Sequence, residues 1–357
     1  MNAPSRVSSA ATGQQKARGG GYKNGAPRIL DRMFARLLQR RTRFGLEGTG
    51  TVEHFLRTSG DKEAPAGAPA FLVGHQMEAA QAGHPSKGAI RIQNVDKVYQ
   101  AREGAVQAVF DCSLDIRAGE ICMIVGPSGC GKTTLLNAIA GFHEITGGTI
   151  HLDDEMLCGP DKPKAEPGPD RVVVFQNGAL FPWKTNLENV TFGPVVQGRL
   201  TKAQAAEKAR GMMADAGLGG VEHNYPGEVS SGVRRRVEIV RALMNDPKVL
   251  LLDEPFRALD SLTKSVMHEA LLEIYYRNKV TIFFITHDLE EAIFLGHRVA
   301  IMTTRPCKPK KMLEVDIPHP RDYSVLTSPR FRELMEETVS AVHEEAVKAF
   351  EAGEKEM

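Results

Sequence analysis

Four short segments of this chain are apolar almost without interruption, and each stops at a residue that carries chemistry. They are residues 121–125 (ICMIV), 172–175 (VVVF), 249–252 (VLLL) and 281–285 (TIFFI). A strand with one wet face alternates apolar and polar residues. Strands buried on both faces do not, so these runs predict the centre of a largely parallel sheet covered by helices. The fold class expected is therefore α/β. In an open sheet of this kind, ligands gather beyond the carboxyl ends of the strands. Those ends here carry a glycine-rich loop, Gln176, the pair Asp253-Glu254 and, two residues on, His287.

The loop is GPSGCGKTT, residues 126–134, with Gly126, Gly131, Lys132 and Thr133 at the spacing G-x-x-x-x-G-K-[ST]. Glycines let successive backbone N–H groups point into one concavity. The helix that follows adds its N-terminal dipole to the attraction for phosphate. Gly126, Pro127, Ser128, Gly129, Cys130, Gly131, Lys132, Thr133 and Thr134 are therefore the expected phosphate-binding set. Lys132 reaches the β- and γ-phosphates, and the Thr133 hydroxyl suits Mg²⁺. Oxidation of Cys130, inside the loop, would interfere with phosphate.

Asp253 is placed to hold the metal, directly or through water. Glu254 is then the candidate to orient and deprotonate an attacking water. Phosphoryl transfer is mostly positioning and electrostatics, so one base and one metal carboxylate suffice. Gln176 suits a neutral contact to Mg²⁺ or water, and His287 a hydrogen bond to a γ-phosphate. Taken singly, a histidine or glutamine at a strand end is more often a structural hydrogen-bonder. The shared sheet edge is what raises these two above that reading.

Among 357 residues, 42% are hydrophobic and 25% charged, which leaves room for a sizeable core. No apolar run approaches the ~20 residues that a membrane helix needs. Any spanning part is expected on another chain. The five cysteines are scattered without a C-x-x-C pair and are read as reduced thiols of a cytosolic protein. No secretory signal opens the chain. Residues 1–45 hold ten basic residues and one acid, a balance of +9 in a chain of net +1, which leaves −8 for the rest. Residues 1–88 read as a basic, largely disordered extension ending in a linker over 60–88. Within it, 29–43 has apolar residues at helical spacing and arginines between them, an amphipathic pattern suited to an anionic membrane surface, a partner protein or neither.

The ordered set Gly126–Thr133, Gln176, Val229-Ser-Ser-Gly-Val-Arg-Arg-Arg236, Asp253-Glu254, Ala258-Leu-Asp260 and His287 resembles an ABC (ATP-binding cassette) ATPase domain over about residues 89–325. The resemblance implies a P-loop NTPase fold: a mostly parallel core sheet, an antiparallel β subdomain and a helical subdomain at about 186–246. A C-terminal helical tail, 326–357, would follow. It implies ATP and Mg²⁺ as ligands. Lys132, Gln176, Glu254 and His287 would be catalytic, and Thr133, Gln176 and Asp253 would attend the metal. By the same likeness Tyr99 stacks on adenine, Asp260 is the D-loop aspartate, and Ser230 and Gly232 complete the nucleotide site of a second ABC subunit, identical or not. The usual LSGGQ is altered at Val229, Ser231 and Val233, and Arg257 replaces a small D-loop residue. These departures leave room for slower hydrolysis or a non-identical partner, but Lys132, Glu254 and His287 remain, so activity is still expected.

The segment around Phe181-Pro182-Trp183, with 286–292, 298–302 and 317–321, resembles importer ATPases for nitrate, sulfonate, taurine and related small solutes. That likeness implies transmembrane permease subunits docking near Trp183, a solute-binding protein met only indirectly, no nucleic acid, and a place on the cytoplasmic face of a bacterial inner membrane. The alternative for the aromatic cluster is a local core. The alternatives for the whole chain are a soluble ABC ATPase uncoupled from transport and a nucleotide-binding regulator of low turnover.

Overall fold

The computed structural model describes residues 87–101, 104–257 and 259–351. Apart from Lys87 and Gly88, the basic extension 1–88 with its amphipathic stretch at 29–43 lies outside the described residues. So do Ala258 and residues 352–357.

In chain order the elements are β1 (Ile90–Ala101), β2 (Gly104–Ile116), β3 (Ile121–Val125), α1 (Lys132–Ala140), β4 (Gly147–Leu152), β5 (Glu155–Cys158) and β6 (Arg171–Val174). Three helices follow: α2 (Asn186–Val196), α3 (Lys202–Asp215) and α4 (Ser231–Leu243). Then come β7 (Val249–Asp253), α5 (Ser261–Asn278), β8 (Thr281–Ile285), α6 (Leu289–Leu295), β9 (Arg298–Met302), β10 (Pro309–Glu314) and α7 (Pro329–Glu351).

The strands make two sheets. One is antiparallel, in the order β2-β1-β4-β5. The other runs β10-β9-β3-β8-β7-β6, parallel throughout except for β10 at its edge. The four apolar segments lie side by side in this second sheet as β6, β7, β8 and β3. Their alternation is real but hidden, because both faces are dry. Met123, Leu250, Leu252, Ile282 and Phe284 face one core with Val237 and Val240 of α4 and Leu271 of α5. Ile124, Leu251, Phe283 and Ile285 face the other, with Leu136 and Ile139 of α1 and Ile90 and Ile92 of the antiparallel sheet. Helix α1 thus joins the two sheets through one core, which fixes the loop before it.

Local chemistry starts the helices where the sequence provides caps. Thr185 with Glu188, and Thr201 with Gln204, form capping boxes at α2 and α3. Helix α4 is capped by Ser230, whose hydroxyl accepts from the Val233 N–H. Helix α5 is capped by Asp260, which accepts from the N–H groups of Leu262 and Thr263.

Candidate active site

Strand register assembles the site. Asp253 pairs with Ile285 and Ile124 pairs with Ile285, so β3, β8 and β7 end at one level. The Glu254 N–H donates to the Ile285 carbonyl at 2.9 Å, and the Thr286 N–H to that of Ile124 at 3.2 Å. Val174 pairs with Leu252, which brings Gln176 beside Glu254.

The loop before α1 turns on Gly131, with φ of 123°. A Cβ there would lie 2.5 Å from the Ala108 carbonyl oxygen and 2.8 Å from Cβ of Cys307, so no side chain fits. Lys132 is buried, and its ammonium donates to the carbonyls of Gly126 (2.9 Å) and Pro127 (2.7 Å). Ser128 and Gly129 are exposed. Arg305, from the segment after β9, donates to the Gly129 carbonyl at 2.9 Å and braces the outer turn of the loop.

Two carboxylates, one residue apart, have separate surroundings. The Thr133 hydroxyl donates to Asp253 at 3.3 Å. Burial raises the Asp253 carboxyl above its usual range, and the nearby Glu254 adds to that, against the Thr133 hydrogen bond and the charge of Lys132. Glu254 has φ of 43°, uncommon for a residue with a side chain. Its Oε2 meets three groups: Gln176 Nε2 at 3.4 Å, Arg257 Nη1 at 3.2 Å and His287 Nδ1 at 3.3 Å.

Thr133 and Asp253 present hard oxygen donors beside each other, and a cation would relieve the desolvated Asp253 carboxylate. Among the described residues no three His, Cys, Asp or Glu side chains gather to hold a metal. One carboxylate and one hydroxyl fit Mg²⁺, which keeps most of its shell as water and substrate phosphate. They fit no dedicated protein cage. Gln176, the third residue expected at the metal, turns its amide to Glu254.

The remaining candidates lie further out. Tyr99 accompanies His143: its hydroxyl is 2.8 Å from Nδ1 and the rings meet edge to face. Lys97 lies 4.9 Å from the ring centroid of Tyr99. Thr134 lies 3.5 Å from the Tyr99 hydroxyl, which ties this platform to α1. Ser230 and Asp260 cap α4 and α5, Gly232 lies in the first turn of α4, and a Cβ on Gly232 would touch Thr263 at 2.9 Å. Within one chain the close approach of Gly232 is thus to α5.

A clamp lies outside the recognised motifs. Arg235 of α4 donates to the carbonyls of Phe175 and Gln176, both at 2.8 Å, and pairs with Glu238 at 2.6 Å. Glu238 accepts the Ala179 N–H at 2.7 Å, and Arg241 donates to the Ala179 carbonyl at 2.9 Å. The helix that begins at Ser230 therefore grips the backbone around Gln176. Beside the clamp is a cavity of about 220 Å³ lined by Val173, Phe181, Phe192 and Arg241 among others. Trp183 stands next to it, 71% exposed and 5.6 Å from Phe181 between centroids, so it belongs to a surface cluster and not to the core.

Residues 109–257 match the ABC transporter family. The chain is 39% identical over 248 residues to the bicarbonate transport ATP-binding protein CmpD of Synechocystis sp., covering 69% of this chain and 86% of that one. The chain belongs to the family of ABC transporter ATP-binding proteins. It is likewise 37% identical over 259 residues to the nitrate import ATP-binding protein NrtD of Synechococcus elongatus, covering 72% of this chain and 92% of that one. A solved ATP-binding cassette dimer in a post-hydrolysis state, bound to ADP and Pi, superposes with a TM-score of 0.56 at 28% identity. It covers 64% of this chain and all of that one. The cassette fold and ATP hydrolase activity expected from the motifs thus stand. Among the described residues no helix is long and apolar enough to cross a membrane.

Proposed function

We propose that this ATP hydrolase is the energising subunit of an importer for a small solute of the nitrate, sulfonate and taurine class. It sits on the cytoplasmic face of a bacterial inner membrane against separate permease subunits, as a dimer of cassettes. The observation that carries the catalytic part is the convergence of Gln176 and His287 on Oε2 of Glu254 at 3.3–3.4 Å. Loop N–H groups and Lys132 hold the β- and γ-phosphates. Glu254 takes the proton of the attacking water, Gln176 positions that water, and His287 donates to the γ-phosphate. Thr133 and Asp253 would hold Mg²⁺, which when bound would supply charge neutralisation at the phosphates. Ser230 and Gly232 serve the nucleotide of the partner cassette, and Tyr99 the adenine.

The transport part rests on the partly exposed Phe181–Trp183 cluster beside a cavity that Glu238 and Arg241 of the clamp also line. An aromatic surface suits a docked permease helix. The clamp would pass its movement to α4 and so to Ser230. The nitrate, bicarbonate and sulfonate importers among the relatives support the solute class.

A second reading, a regulator of low turnover, is favoured by Arg257, which occupies the Glu254 carboxylate. Comparing Glu254→Gln with wild type, in the presence of a reconstituted permease, separates the two. The importer subunit loses at least about a hundredfold in turnover while ATP-dependent dimerisation persists. Wild-type turnover no higher than the variant's supports the regulator. Trp183→Ala should weaken permease binding and leave the isolated chain's ATP turnover unchanged; unaltered permease binding would remove the docking surface.

A further inference from the structure

The phosphate loop contains a cysteine, and its neighbour Gly131 packs against a second one. Cys130 and Cys307 are both buried and free, and a Cβ built on Gly131, the neighbour of Cys130, would lie 2.8 Å from Cβ of Cys307. Cys307 is held firmly. Its N–H donates to the Ala108 carbonyl at 2.9 Å, its carbonyl accepts from Phe110 at 3.3 Å, and so the segment after β9 is pinned to β2. On the other side, Lys132 Nζ lies 3.8 Å from Sγ of Cys130.

We propose that Cys130 and Cys307 form an oxidisable pair, converted by a peroxide to a disulfide that weakens nucleotide binding. The inference rests on the reading of residues 126–134 as the ATP site. The hydrogen bond from Cys307, with Lys132 beside it, holds the Cys130 thiol well below the usual range, at about 6. Cys130 is therefore the nucleophile. Its hydrogen bond to Cys130 and its burial push Cys307 up. The thiolate of Cys130 attacks one peroxide oxygen: an S–O bond forms, the O–O bond breaks, and hydroxide leaves as water after taking a proton. The Cys307 sulfur, losing its proton, then attacks the Cys130 sulfur. The S–S bond forms, the S–O bond breaks, and a second water leaves. Two thiols lose two electrons, and one peroxide becomes two waters. Cys130 is itself buried, so peroxide reaches it where the loop opens at the exposed Ser128 and Gly129.

Bond formation draws the two sulfurs to about 2.05 Å. Gly131 cannot follow, because it already abuts the Ala108 carbonyl and Cβ of Cys307. The closure falls on the backbone of Cys130, whose N–H belongs to the phosphate cradle. Lys132 loses its anionic neighbour in the same step.

The test uses the full chain, reduced or treated with hydrogen peroxide, with peptide mapping and titration by a fluorescent ATP analogue. Peroxide should give a Cys130–Cys307 disulfide and an affinity at least about tenfold weaker, restored by a reductant. Bound nucleotide should slow the reaction. Cys307→Ser, which lies outside the nucleotide-binding set, should show no disulfide and no loss that reductant restores. A disulfide with unchanged affinity, peroxide treatment that leaves both thiols free, or a bridge from Cys112 to Cys307 would overturn the proposal. Failure of the reduced protein to bind the analogue would instead overturn the assignment of the ATP site.

Discussion

The guanidinium of Arg257 lies 3.2 Å from Oε2 of Glu254, the same oxygen that meets Gln176 and His287. A proposed general base thus has its reactive oxygen occupied by a cation three residues along the chain. Arg257 is 57% exposed at its side chain, so the pair is screened and weak. It still competes with water for one lone pair. Arg257→Ala should raise kcat about two- to fivefold with KM nearly unchanged, the size expected when an exposed ion pair of under ~1 kcal/mol is released. A steady-state ATPase assay decides the sign. A fall in kcat would give Arg257 a direct role at the phosphates.

Asp253 illustrates the conflict between stability and function. Its carboxyl is raised by burial, so the folded protein holds the proton more tightly than the unfolded chain does. This contribution is present at low pH and is lost as pH rises through the folded value. At neutral pH, without metal, the buried charge is a cost. Asp253→Asn keeps an acceptor for the Thr133 hydroxyl and removes that charge. Calorimetry without Mg²⁺ should show Tm higher by about 2–4 °C, the shift that ~1 kcal/mol produces in a domain of this size. Turnover should fall at least about a hundredfold if Asp253 is the metal carboxylate.

The clamp on the Gln176 backbone gives a prediction about coupling. Arg235 and Glu238 are both nearly inaccessible and answer each other at 2.6 Å. Removing one partner of a buried pair typically costs ~3 kcal/mol, because the other charge is left unpaired. Arg235→Leu should therefore destabilise by about that amount and lower kcat by displacing Gln176. The double change Arg235→Leu, Glu238→Leu should cost at least ~1 kcal/mol less than the sum of the single ones. Denaturant unfolding of the four proteins measures the difference. Additive losses would show that the two side chains act independently on their backbone partners.

The same residues mark how far sequence reaches. Residues 121–125, 249–252 and 281–285 are legible because strands dry on both faces need continuous apolar runs. The end of the fourth run was less so: β6 stops at Val174, and Phe175 leaves the sheet to stack on Phe142 at 5.9 Å. An aromatic at a strand end reads as core whether it turns in or out. Glu254, Gln176 and His287 were legible as strand-end residues, but nothing local says that they meet at one oxygen. That depends on the register of β6, β7 and β8. Arg235 and Glu238 were not legible as a clamp, since RRRVE at the start of a helix looks like a wet face. They are buried only because the chain returns near residue 175 with free carbonyls. Asp260 reads by likeness as a D-loop aspartate, and the structure adds its local work as the cap of α5.

A half-buried histidine pair sets the acid response. His297 and His319 stack at 4.4 Å between centroids. His297 Nδ1 accepts the Ile121 N–H at 3.2 Å, and His319 Nδ1 lies 2.7 Å from the Tyr276 hydroxyl. Burial, then the charges of Arg321 and Lys279, holds His297 at about 4; burial and Arg321 first, with His297 and Lys279 behind, hold His319 at about 3. Unfolded histidine titrates near ~6.5, so the unfolded chain takes up protons that the folded one refuses. The stabilisation is complete above that value and drains away as pH falls toward 4 and then 3. His319→Phe keeps a stacked ring without a titrating nitrogen, and the Tyr276 hydroxyl retains the Arg321 N–H as a donor at 3.3 Å. Melting curves at pH 7 and pH 4.5 should show a smaller loss of Tm in the variant than in wild type, by several degrees. Equal losses would place the acid sensitivity in the carboxylates instead.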